Sequence, residues 1–230
     1  MQTIKSIRSL LTCVFILCAA DFSFAQTEKQ TAYGIFLDNS ASLMSQLKQV
    51  KTLGNGLVQY ARNYGPVSVF SFTSQGVKKP LMTMTGVEWS RDEGFLSEHI
   101  DTLSIEGGDS ALLDAIHAIA EKITTKANSE KEPITSKVII LVTDGEERAS
   151  RVKEKQLIKE LQDSGIKVYA IGLVRELGEE RHYSFSSPKE KAESRLKKLT
   201  KETGGRVVFL KSESFDLGNV IKKLFTVTNK

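Results

Sequence analysis

Asp38, Ser40 and Ser42 stand at alternate positions in the run Asp38-Asn39-Ser40-Ala41-Ser42, where an apolar stretch ends. Two further polar clusters sit at comparable junctions. Gly107-Gly108-Asp109-Ser110 precedes an apolar helical pattern, and Thr143-Asp144-Gly145-Glu146 follows a continuous apolar run. Their side-chain donors are carboxylates and hydroxyls, with no histidine or sulfur nearby in sequence. Such hard oxygens suit Mg²⁺, Ca²⁺ or Mn²⁺ and do not suit Zn²⁺. Taken singly, each cluster also reads as ordinary local chemistry. Asp and Ser are favoured helix N-caps, so Ser42 and Ser110 can each start the helix that follows, and Asp144-Gly145 can form a simple turn.

The surrounding polar residues read more plainly. Glu146, Glu147 and Asp109 are expected in solvent, and Asp114, one helical turn past Ser110, in helix-start electrostatics or a structural hydrogen bond. His99, His117 and His182 are scattered and form no site. Lys189, Lys191, Lys197, Lys198 and Lys201 read as a solvated basic face.

Whether the clusters meet depends on the elements between them. Thr31–Leu37, Pro66–Phe72, Lys137–Val142, Ile166–Val174 and Val207–Leu210 read as strands, and Val77–Met84 as an edge or irregular strand because of Pro80. Leu43–Tyr64 has helical apolar spacing despite Gly54 and Gly56. Residues 92–105 carry a weaker helical pattern and Ala111–Ile123 a clear one. Helices are also expected over Val152–Gln162, through Leu196 and Leu199, and over Phe215–Phe225. Residues 126–136 and 175–190 read as loops. The uninterrupted apolar run 137–142 marks a strand buried on both faces. Strands alternating with helices predict an α/β fold, a doubly wound and mostly parallel sheet with helices on both faces. Ligands bind such sheets at the carboxyl ends of the strands, which is where all three clusters are expected.

The first 25 residues read separately. Lys5 and Arg8 precede an apolar core, Leu10 to Ala20, and small residues flank Phe24 in Ser23-Phe24-Ala25. This is the pattern of a secretory signal cleaved after Ala25; the core falls short of the about 20 residues that span a bilayer. Residues 26–230 then form a single domain without thiols, since both cysteines, Cys13 and Cys18, leave with the signal. The expectation is a secreted or periplasmic product with no stable membrane insertion. A net charge of +4 with no dense basic stripe, one Trp and five Tyr argues against a nucleic-acid partner.

The chain resembles a von Willebrand factor A domain of the secreted bacterial type, carrying a metal-ion-dependent adhesion site. That family's pattern is Asp-x-Ser-x-Ser, a distant Thr, and a distant Asp in a Thr-Asp-Gly turn. Asp38, Ser40 and Ser42 match the first part. "GGDSALLDAI" puts Ser110 at the Thr position, and "IILVTDGEE" supplies Asp144. Serine at 110 keeps the hydroxyl but loses the methyl that stiffens the rotamer, which lowers the expected metal affinity. The resemblance implies the metal set Asp38, Ser40, Ser42, Ser110 and Asp144 around Mg²⁺ (or Mn²⁺/Ca²⁺). It implies serine hydroxyls on the ion, the aspartates acting largely through water, and an Asp or Glu of a partner protein filling the open position.

The function implied is binding without catalysis, because no activated nucleophile or general base is in view. Two alternatives differ in class. An Asp after the first strand also opens an aspartyl-phosphatase signature, but that needs a second Asp where Ser40 stands. The other is a structural or assembly subunit whose metal site is vestigial.

Overall fold

The computed structural model describes residues 30–75, 81–179 and 186–226. The leader, Pro80 and His182 lie outside the described residues. At the centre is strand β1 (Gln30–Leu37) of a six-stranded sheet. It pairs in parallel with β2 (Val67–Gln75) on one side and β4 (Ile134–Thr143) on the other. Beyond β4 lie β5 (Ile166–Gly172) and β6 (Val207–Phe209), also parallel. Beyond β2, β3 (Leu81–Gly86) closes the edge in the antiparallel sense.

The strand order 3-2-1-4-5-6 is that of a doubly wound sheet. Its order reverses between β1 and β4, so their carboxyl ends flank the crevice where such sheets bind ligands. Register enforces this closeness: Leu37 lies opposite Val142, and Asp38 N donates to the Val142 carbonyl at 2.9 Å.

Side chains alternate between the two faces of each strand. Ala32, Phe36, Ile139, Leu141, Val168 and Ala170 face α3 (Leu112–Ser129), α4 (Glu154–Asp163) and α5 (Pro188–Glu202). Tyr33, Ile35, Leu37, Val138, Ile140 and Val142 face α1 (Leu47–Ala61), α2 (Glu93–Asp101) and α6 (Leu217–Phe225). With both faces covered, β4 needs the unbroken apolar run that it has. Gly54 lies inside α1 for a packing reason: a Cβ there would meet Leu37 Cδ1 at 2.6 Å, so the bare backbone lets the helix approach β1.

Several boundaries differ from the sequence reading. The helix expected from Leu43 begins as a 3₁₀ turn, Ala41–Gln46, before α1 takes over at Leu47. Helix α3 runs on to Ser129, and β4 starts at Ile134, so the expected 126–136 loop shrinks to a few residues. Apolar periodicity stops at Ile123 because the last turns of α3 leave the sheet, and periodicity alone cannot follow a solvated helix end. Strand β5 stops at Gly172, and Val174–Glu176 forms a 3₁₀ turn. Helix α5 starts inside the expected 175–190 loop, at Pro188. There Ser187 and Glu190 form a capping box, with Ser187 Oγ accepting from Glu190 N at 3.2 Å and Glu190 accepting from Ser187 N at 2.8 Å.

Candidate functional site

Asp38 is the first residue past β1 and is fully buried. Its Oδ1 accepts from Ser40 N at 3.0 Å, closing a turn that starts the 3₁₀ segment. Its Oδ2 accepts from Thr143 Oγ1 at 2.6 Å. Ser40 and Ser42 then bring their hydroxyls to 3.1 Å of one another. Neither is the side-chain cap that local chemistry allowed. Ser40 holds the N-cap position without a capping bond, and Ser42 lies inside the turn.

Asp144, the first residue past β4, is 1% exposed. Its Oδ1 accepts from Glu146 N at 2.8 Å, while its buried Oδ2 has no hydrogen-bond partner. Gly145 makes the sharp turn with φ 78°, a left-handed conformation open to glycine without a Cβ clash. Arg195 of α5 donates to the Gly145 carbonyl at 2.5 Å, so the turn is braced from the neighbouring helix.

Ser110 is also buried, and the start of α3 ties it to the Asp144 loop. The Ser110 carbonyl accepts from Arg148 N at 2.9 Å and Ala149 N at 3.1 Å. Glu147 departs from its solvated expectation. It accepts from Leu113 N in the first turn of α3 at 2.9 Å, from Ser150 N at 2.8 Å and from Ser150 Oγ at 2.6 Å. Asp114 answers from the helix, accepting from Arg151 N at 3.0 Å and Val152 N at 2.9 Å. The α3 start and the loop after β4 therefore hold each other reciprocally, and Asp114 has the structural hydrogen bonds expected of it.

Two supporting residues lay inside the polar clusters of the sequence but were given no role there. Thr143 links the loops through its single hydroxyl, donating to Asp38 and accepting from Gly145 N at 2.9 Å. Asn39 pins the β1 loop to the end of β2. It accepts from Phe72 N at 2.9 Å and donates to the carbonyls of Phe72 at 3.2 Å and Ser104 at 2.8 Å. The available signal was position, since both are polar residues at the end of an apolar strand.

The electrostatics follow from burial. Desolvation raises the Asp38 carboxyl above its ordinary value, against the opposing bonds from Thr143 and Ser40. Desolvation, and then the charge of Asp38, push Asp144 up to about 7, against the opposing influence of the Ser42 hydroxyl and Glu146 N. Two buried carboxylates that oppose each other's ionisation, one with an unpartnered oxygen, form a locus that a cation would relieve. Among the described residues, no three His, Cys, Asp or Glu side chains cluster at metal-binding geometry. An ion at this rim therefore relies on serine hydroxyls as well as carboxylates, a donor chemistry that fits Mg²⁺ or Mn²⁺.

The sequence profile of the von Willebrand factor type A domain matches residues 35–223. Among curated proteins no sequence matches the chain. Among solved structures, an aerotolerance-related membrane protein from Bacteroides fragilis is similar at TM-score 0.59 and 18% identity, covering 84% of this chain and 98% of that one. Proximal thread matrix protein 1 of the mussel byssus gives 0.60 at 18% identity, covering 86% of this chain and 48% of that one. The pilus adhesin SpaC from Lactobacillus rhamnosus GG gives 0.59 at 15% identity, covering 85% and 30%. At such identities the likeness speaks to fold.

Proposed function

The chain belongs to the von Willebrand factor type A domain family, a family of protein-interaction and adhesion modules, and from that premise we propose a divalent-cation-dependent protein-binding function. In this reading the rim holds Mg²⁺ or Mn²⁺ (or Ca²⁺) through Ser40, Ser42 and Ser110, with Asp38 and Asp144 balancing its charge. The bound ion supplies an electrophilic position for a carboxylate of a partner protein. The chain's own residues shape that position. Thr143 and Ser40 N hold Asp38 in place, Gly145 aims Asp144, and the Glu147–Asp114 clamp holds Ser110 beside the Asp144 loop.

The observation that carries the reading is the buried pair Asp38 and Asp144, with Asp144 Oδ2 lacking a full hydrogen bond and the Ser42 hydroxyl facing that carboxylate. A structural use of two buried carboxylates normally supplies donors for every oxygen. The function requires no catalytic group. The setting is secreted or periplasmic, as the leader reads. No helix among the described residues is long and apolar enough to cross a membrane.

Calorimetry with Mn²⁺ and Mg²⁺ on the folded protein tests the ion. Saturable one-to-one binding that disappears in Asp38→Ala is expected, and absence of binding to the folded wild type removes the metal from the reading. Partner capture from the native envelope fraction that survives both EDTA and Asp38→Ala would instead favour a structural or assembly role.

A further inference from the structure

A groove of about 430 Å³ runs along the same carboxyl-end rim. One wall is the end of the 3₁₀ turn and the first turns of α1, with Ser45, Lys48, Gln49 and Thr52. The other is the loop before α6, with Glu213, Ser214 and Phe215. Its near end is Ser45, three residues past Ser42. A chain of polar contacts joins the walls: Ser45 Oγ donates to Glu176 at 2.5 Å, and Arg175 pairs with Glu176 at 2.9 Å and with Glu213 at 3.2 Å. Gln49 Nε2 donates to the Ser212 carbonyl at 3.2 Å. The groove is thus a braced feature bounded by two loops of the functional rim.

Its charges are unequally satisfied. Of its two charged lining residues, Glu213 is engaged by Arg175 from outside the groove, whereas Lys48 has no ion-pair partner among the described residues. Three residues apart in a 3₁₀ turn, Ser42 and Ser45 share a face, so the groove opens on the Ser42 side of that turn. With a rise of about 2 Å per residue in the 3₁₀ turn and 1.5 Å in α1, Lys48 sits roughly 11 Å from Ser42.

We infer that this groove seats an extended acidic segment of the partner. One carboxylate goes to the Asp38–Ser40–Ser42 site, and a second carboxylate three or four residues along meets Lys48. The spacing follows from chain geometry. An extended polyproline-type segment rises about 3.1 Å per residue and returns side chains to one face every third residue, so two acids at that interval span roughly the Ser42–Lys48 distance. The inference rests on the proposed metal site and adds the partner's shape and charge pattern to it.

Synthetic peptides test it on the full mature protein. One carries a single Asp in a Gly/Ser background; others add a Glu three or four residues from the Asp. With Mn²⁺-loaded wild type, fluorescence anisotropy is expected to show the two-acid peptides binding about fivefold more tightly, the size of an exposed ion pair in good geometry. That advantage is expected to vanish in Lys48→Glu, an exposed position, with Mn²⁺ binding by calorimetry unchanged. Equal affinities for the one-acid and two-acid peptides, an advantage that survives Lys48→Glu, or no peptide binding while Mn²⁺ binds would each overturn the groove alone. Failure of folded wild type to bind Mn²⁺ overturns the metal reading beneath it. Peptide binding that persists in EDTA yet falls in Lys48→Glu keeps the groove and discards the metal.

Discussion

Thr143 Oγ1 donates to Asp38 Oδ2 at 2.6 Å, joining two residues 105 positions apart through a hydroxyl that also accepts from Gly145 N. Both residues are fully buried, so no water stands ready to replace the bond. Thr143→Val keeps the shape and removes the hydroxyl. It is expected to cost about 1–3 kcal/mol, the penalty for leaving a buried acceptor and a buried N–H unmade, measured by urea unfolding. A loss under a few tenths of a kcal/mol would mean that the two loops do not depend on this link.

Stability without metal is expected to fall as pH rises. Asp144 moves from 3.8 in the free side chain to about 7 in the fold. Between those values the native state keeps a proton that the unfolded state has released, so raising pH favours unfolding. Asp38, also raised, acts in the same direction. In EDTA the melting temperature at about pH 7.5 should lie below that at about pH 5.5, and saturating Mg²⁺ should recover the difference at the higher pH. A melting temperature that holds or rises over this window would contradict the mutual opposition of the two carboxylates.

Asp144→Asn separates function from stability. It removes one of two like charges at nearly constant volume. The metal-free protein above pH 7 is therefore expected to gain about 1–3 kcal/mol, the scale of a relieved buried like-charge pair. Mn²⁺ binding is expected to be lost in the same variant. Thermal melts in EDTA and calorimetry with Mn²⁺ read the two halves independently.

Glu147 is a positioning residue that touches the α3 start and not the candidate ion. Glu147→Ala withdraws the acceptor from Leu113 N and from both polar groups of Ser150. Metal affinity is expected to weaken about 10–100-fold, as for other outer supports of metal ligands, because the Arg148–Ala149 backbone that tethers Ser110 to the Asp144 loop loses its anchor on the α3 start. Glu147→Gln keeps one amide oxygen as acceptor and should recover part of the loss. Unchanged Mn²⁺ affinity in a folded Glu147→Ala protein would relegate the clamp to fold stability.

Much of the scaffold was legible because burial writes itself into period and run length. The unbroken apolar run 137–142 predicted a strand covered on both faces, and β4 is one. The alternation of strands and helices predicted the parallel sheet, and the edge strand read over Val77–Met84 is found from Leu81 on as β3, which runs antiparallel. Element ends were less legible. The 3₁₀ start at Ala41–Gln46 and the solvated end of α3 bury few apolar side chains, so they leave no period to read. The capping box at Ser187 and Glu190 was in plain view as Ser-Pro-x-Glu, inside a stretch too polar to show a helix by its apolar residues.

The sequence by itself determined the types of the candidate donors and the strand ends that carry them. Asp38, Ser40, Ser42, Ser110 and Asp144 are hard-oxygen residues, each placed where a helix begins or a strand stops. Only the tertiary structure decided that the β1 and β4 ends are neighbours, because strand order and register are long-range pairings that no local window contains. It also decided that Glu147 caps α3 and that Asp144 Oδ2 is left without a donor. The physical reason is the same in each case. Residue type fixes which bonds a group can make, while the packing of distant segments fixes which partners are within reach.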